Sequence, residues 1–179
     1  DQWSVGKTVV LQKDLSLEGM LCEPIPSVSG PFKGNGHTIS DLTITGEYSP
    51  AGLFGSVEEK GSIESLSVRG VVSVSDSADT TTGGIVGINH GTLINCQFTG
   101  VVTGDSEVGG IVGRNESEGT IDQSTARAIV TGKSSTGGIA GYNLGAITGC
   151  TNVGSINTEY QEASLDTDGF TAKMVDHLN

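Results

Sequence analysis

The chain has 179 residues, with 28 glycines, four prolines and 21 acidic against nine basic side chains, for a formal charge of −12. No two Lys or Arg residues are adjacent, and no apolar run spans a bilayer, so nucleic-acid binding and membrane insertion are both set aside. Glycine at about twice its usual ~7% share, without the every-third-residue period of collagen, points to many short strands joined by tight turns.

The first fifty residues hold all four prolines, Pro24, Pro26, Pro31 and Pro50, together with Trp3. Residues 1–50 therefore read as an irregular N-terminal cap with the first strands, Val9-Val10-Leu11 and Leu15-Ser16-Leu17, embedded in it. A lead-in follows in Phe32-Lys33-Gly34-Asn35-Gly36-His37-Thr38-Ile39 and Leu42-Thr43-Ile44.

From residue 51 to 158 the chain repeats. Gly52-Leu53-Phe54-Gly55, Gly84-Ile85-Val86-Gly87, Gly110-Ile111-Val112-Gly113 and Gly138-Ile139-Ala140-Gly141 begin 32, 26 and 28 residues apart. The last three continue to Asn89, Asn115 and Asn143, then to a glycine and an aliphatic: Gly91-Thr92-Leu93, Gly119-Thr120-Ile121 and Gly145-Ala146-Ile147. A period near 27 residues with strand-like and not helical patterning is one coil of a solenoid, which buries its apolar face only by stacking on its neighbours. The expected fold is all-β, a right-handed parallel β-helix of about six rungs, on the order of 30 Å long at ~4.8 Å per rung.

Variation between repeats assigns the faces. The residue after the repeat glycine is always aliphatic (Leu53, Ile85, Ile111, Ile139), so it lines the core. Three positions later stand Ser56, Ile88, Arg114 and Tyr142, a range that solvent alone tolerates. Ile63, Leu93, Ile121 and Ile147 form a second inward column, and Leu66, Cys96, Ser124 and Cys150 come three residues after it. A spacing of three reverses the face of a flat strand, so a bend intervenes, at Asn95 and Gly149. Asn89, Asn115 and Asn143 are expected to stack as a structural ladder, their amides hydrogen-bonded along the rod.

These repeats resemble the GLUG-motif repeat family of bacterial surface proteins. The likeness rests on the Gly-Leu/Ile-x-Gly-x-Asn cores, on Asn95-Cys96 and Gly149-Cys150, and on the lead-in. It departs at Val57, where asparagine is expected, and at Ser124, where cysteine is. The resemblance implies an extracellular or cell-surface bacterial module, a stalk or adhesion domain contacting a host protein or glycan. Such repeats also occur in the non-catalytic parts of IgA-specific zinc metalloendopeptidases, which makes an accessory domain of such an enzyme the nearest alternative.

Beyond the repeats, Phe170, Met174 and Leu178 recur every four residues, so residues 159–179 read as a loop and a short helix lidding the last rung, the alternative being a frayed tail that leads to a further domain. Asp168 or Thr167 would cap that helix. The whole chain is one structural domain, and a monomer is expected.

Residues able to do chemistry are sparse. Cys96 and Cys150 sit two rungs apart, ~9.6 Å, beyond the ~7 Å that a disulfide tolerates. His37, His90 and His177 are scattered and no His-Glu-x-x-His occurs. Asp166-Thr167-Asp168-Gly169 fails as a calcium loop, because Phe170 and His177 stand where oxygen donors are needed. No metal and no cofactor is expected. Glu64 with Asp122, and Arg69 with Arg127, share repeat positions, each pair separated by one intervening rung. They constitute the acid/base set of a competing reading, a β-helix polysaccharide lyase or hydrolase. Alternating charge on a solvated face, which keeps the rod soluble and discourages edge pairing, is the stronger account of them, and the chain itself is expected not to be an enzyme. Arg114 and Tyr142, neighbours on adjacent rungs, are the candidate surface contact.

Overall fold

The computed structural model describes residues 4–75 and 80–158. Among them the chain is all β, a parallel solenoid of about five turns. One sheet stacks Val9–Val10, Pro31–Lys33, Ser62–Glu64, Thr92–Ile94, Thr120–Asp122 and Ala146–Thr148. A second stacks Ile25–Val28, Phe54–Val57, Val86–Asn89, Val112–Asn115 and Ala140–Asn143. The third runs Leu15–Ser16, Thr38–Gly46, Ser67–Val74, Gln97–Thr103 and Thr125–Gly132, and ends in two strands, Thr151–Asn152 and Ser155–Thr158. A short fourth sheet joins Thr81–Gly83, Glu107–Gly109 and Thr136–Gly137.

The sequence spacing suggests about six rungs. The number of turns is about five, because the residues before Ile25 supply only two two-residue strands. The strand ladder nevertheless begins at Val9, inside the segment read as the cap. The C-terminal helix, its capping residues and the Asp166–Gly169 turn lie outside the described residues, as does Trp3.

The inward columns are fully buried through the middle turns. Ile85, Ile111, Ile63, Leu93 and Ile121 are all 0% exposed, as are Val68, Phe98 and Ala126 along the third sheet. Each such valine, leucine, isoleucine or phenylalanine contributes about 1.5–3 kcal/mol relative to exposure. Side-chain volume is matched between sheets and not within one. Phe98 fills the space in front of Gly84, where a β-carbon would lie 2.4 Å from its ring. One rung later the smaller Ala126 faces Gly110. At the N-terminal end Phe32 and Phe54 meet edge to face, 5.2 Å between centroids.

Between the first and third sheets the backbone turns through positive φ at Asn35, Ser65, Asn95, Gln123 and Gly149. Glycine and asparagine accept this region readily, whereas serine and glutamine do so only when neighbouring turns hold them there. Just beyond, Cys96 N–H donates to Ser124 Oγ (3.1 Å) and Ser124 N–H to Cys150 Sγ (3.4 Å). Ser124 therefore continues the cysteine column, its hydroxyl accepting as the thiol does.

One buried polar atom is left over. Thr82 is 0% exposed, and its Oγ1 has no hydrogen-bond partner among the described residues. Its counterpart on the next rung is Val108. In the unfolded chain that hydroxyl bonds to water, so Thr82→Val is expected to stabilise the fold by about 1–2 kcal/mol. The gain should be read as a raised urea midpoint with unchanged slope. A lowered midpoint would mean that the hydroxyl is satisfied after all.

Candidate functional site

The glycine doublets create a concave corner. Thr82-Gly83-Gly84, Val108-Gly109-Gly110 and Thr136-Gly137-Gly138 lead from the short sheet into the second sheet. The two sheets are backed so closely that a β-carbon on Gly141 would lie 2.4 Å from the Val108 nitrogen. Outside that corner the side chains diverge into a groove parallel to the rod. Thr81, paired to Glu107 on the next rung, belongs to one wall, with Ser135 preceding the following strand. The other wall is the register-paired column Ile88, Arg114 and Tyr142.

Arg114 and Glu107 bridge the groove as a fork. Arg114 Nε donates to Glu107 Oε2 at 2.6 Å and Nη2 donates to Oε1. Thr81 Oγ1 donates to the same carboxylate at 3.1 Å, and Glu116 Oε1 lies 3.7 Å from Arg114 Nη1. The hydrogen bonds that Arg114 donates to Glu107, and then the carboxylate's charge, hold the guanidinium above its ordinary pKa against partial desolvation. The guanidinium carbon also lies 5.4 Å from the centre of the Tyr142 ring, a cation–π arrangement. Arg114 and Tyr142 are thus brought together. Glu107 and Thr81 complete the cluster and were not singled out from the sequence, although the first glycine of each doublet is a repeat landmark pointing to that short strand. The depression between the walls has a volume of about 310 Å³, and Ser106 and Ser134 also line it.

The other column expected to be polar is the ladder. Asn89 Nδ2 donates to Asn115 Oδ1, and Asn115 Nδ2 donates to Asn143 Oδ1, each at 2.8 Å. The same amides close their own turns: Asn89 Nδ2 donates to the Gly91 carbonyl, and Asn115 Nδ2 to that of Gly119. Asn89 and Asn115 are 0% exposed, while Val57 occupies the preceding position.

The acid/base set is dispersed. Glu64 and Asp122 stand on the first sheet with Ile94 between them, 37% exposed. Arg69 and Arg127 stand on the third sheet, beyond the positive-φ bend, with Thr99 between them. Glu64 lines an open depression of about 300 Å³ with Lys33, Asn35, Gly36, Ser65 and Asn95, and neither Asp122 nor either arginine contributes to its wall. Among the described residues no group of three His, Cys, Asp or Glu could hold a metal ion.

Cys22, Cys96 and Cys150 are free thiols. Burial pushes the Cys96 thiol up to about 12, from an ordinary value of about 9. A raised folded pKa means that the unfolded chain releases this proton first. Stability should therefore be intact below pH 9 and fall as pH rises toward about 12, by about 1.4 kcal/mol per unit from this one group. Urea denaturation at successive alkaline pH values should show this slope, and Cys96→Ala should flatten it. An identical slope in that variant would place the alkaline sensitivity elsewhere.

No family model matches the chain. A segment of 99 residues, 55% of the chain, is 36% identical to part of Halomucin from Haloquadratum walsbyi, and the match spans only about 1% of that protein's length. Among solved structures, the chain is similar to a candidate immunoglobulin A1 protease from Bacteroides ovatus, with a TM-score of 0.59 and 16% identity over 89% of this chain and 73% of that one. The second likeness is one of fold, a β-solenoid shared by both chains.

Proposed function

We propose that this chain is a non-catalytic β-solenoid module of a secreted or cell-surface protein, a rigid stalk that spaces and displays its neighbours and offers contacts along its side. The supporting observation is the parallel pairing carried through three long sheets, with one register shift between Ile39 and Leu42, which sets variable outward columns such as Ser56, Ile88, Arg114 and Tyr142 on a largely apolar interior. Rods of this kind lend themselves to presentation, because outward positions vary freely once the inward columns are satisfied. The shared segment with Halomucin supports a surface location, and the strong negative charge suits an exposed, soluble rod.

Two measurements test the reading. Antibodies against the purified chain should label intact cells that produce the parent protein; labelling only after lysis would overturn the surface location. Incubation with polysaccharides should release neither unsaturated nor reducing ends. Product formation lost in Glu64→Gln or Asp122→Asn would instead make the chain a lyase or hydrolase.

A further inference from the structure

We propose that the groove between the short sheet and the second sheet binds neutral carbohydrate, a short uncharged oligosaccharide lying along the rod. This rests on the reading of the chain as a display module and names the chemistry of one contact along its side.

The composition of the groove carries the inference. Thr81, Ser106, Ser134 and Ser135 bring hydroxyls to its lining; Thr81 gives its proton to Glu107 and Ser134 gives its to the Ser106 carbonyl, so both present lone pairs to a sugar hydroxyl. Beside Thr81 on the same wall the Glu107 carboxylate is an acceptor only, and across the groove the Arg114 guanidinium is a donor only. The two are held in a fixed fork that uses Nε and Nη2 of Arg114, so a sugar hydroxyl meets the remaining guanidinium protons on Nη1 and Nη2. Ile88 in the lining, and Tyr142 beside Arg114 on the next rung, add apolar surface for the C–H face of a pyranose. The volume of about 310 Å³ falls at the small end of the ~300–1,000 Å³ typical of ligand pockets. The three rungs that build the walls span about 10 Å at the strand spacing, so the site is elongated along the rod.

Preorganisation and charge narrow the ligand further. Glu107 already receives hydrogen bonds from Thr81 and from two Arg114 nitrogens, and only 13% of its side chain remains exposed. The fork therefore needs no ordering when a ligand arrives. Its positive charge is balanced by Glu107, with Glu116 also nearby, on a chain of net charge −12. Sialylated, sulfated and uronic sugars are repelled by that field, which leaves uncharged hydroxyl-rich ligands.

The test is an amide-resolved NMR titration of the full chain with neutral probes, maltotriose, mannotriose, galactobiose and N-acetylchitotriose, with sialyllactose as the anionic control. At least one neutral probe should give saturable millimolar binding, with shifts clustered at Thr81, Ser106, Glu107, Ser134 and Ser135. Sialyllactose should leave those amides unmoved. Ser135→Leu narrows the groove without touching the fork and should weaken binding by about tenfold or more, with an unchanged urea midpoint. Shifts confined to another face, preference for sialyllactose, undiminished affinity in folded Ser135→Leu, or no shift with any probe would each overturn the glycan site. None of these outcomes bears on cell-surface labelling or on the absence of released sugar ends, so the module reading stands or falls separately.

Discussion

Gly113→Ala is expected to destabilise the solenoid by about 3 kcal/mol or more, at the upper end of what overpacking costs. The β-carbon would lie 2.6 Å from the Thr82 backbone nitrogen and 2.8 Å from the Gly87 carbonyl oxygen. Both are backbone atoms in a parallel ladder, and neither can rotate away. Relief requires the short sheet to move off the second sheet, which opens the corner over Ile111 and Val112, both 0% exposed. Against a typical total stability of 5–15 kcal/mol this is a large fraction. Gly36→Ala is the natural control. Gly36 has positive φ but nothing within 4 Å of a β-carbon, so its substitution should cost only about 1–2 kcal/mol from backbone strain. Urea denaturation of both variants separates crowding from conformation. A cost below about 1 kcal/mol at Gly113 would show that the two sheets are not held at this distance in solution.

The second large effect is at the centre of the asparagine ladder. Asn115→Asp keeps the shape of the side chain but replaces a donor with an acceptor. Asn115 Nδ2 gives hydrogen bonds to Asn143 Oδ1 and to the Gly119 carbonyl. A carboxylate there would face two oxygens in a site that is 0% exposed. The expected loss at pH 7 is about 3–5 kcal/mol, the scale for an uncompensated buried charge. Burial favours the protonated acid, so the aspartate's folded pKa is raised above ~3.9. The variant should therefore recover stability as pH falls, the opposite of the behaviour expected of a paired carboxylate. The same change at Asn143, whose side chain is exposed, should cost only about 1 kcal/mol. Equal costs at the two positions would mean that the ladder contributes little.

The inward columns were legible because repeats within one chain act as their own comparison. Where four turns accept only aliphatics, burial follows at Leu53, Ile85 and Ile111, and Ile139 is partly buried. Where they accept serine, isoleucine, arginine and tyrosine, it does not. The bend between the first and third sheets was half legible. Asn95 and Gly149 carry a local signal for positive φ, whereas Ser65 and Gln123 reach it only because the turns above and below impose it. The short sheet left fainter marks, since two or three residues per turn show no alternation. Its register with the rest of the coil depends on glycine doublets whose purpose is proximity, not local conformation. The groove was hidden for the same reason: Glu107 is three residues from the repeat landmark and has no repeated identity, with Thr81 before it and Ser135 after it.

The orientation of the hydrogen bonds has a mechanical consequence. In each sheet the strand-to-strand bonds run along the rod, as do the amide contacts from Asn89 to Asn115 to Asn143. Tension along the rod loads these bonds one turn at a time, like the teeth of a zipper and not like strands sheared together. Each yielding turn of 26 to 32 residues releases roughly 90–110 Å of chain at ~3.4 Å per residue. Stiff when unloaded, the module then lengthens in steps, paying out slack before the force reaches whatever it is joined to.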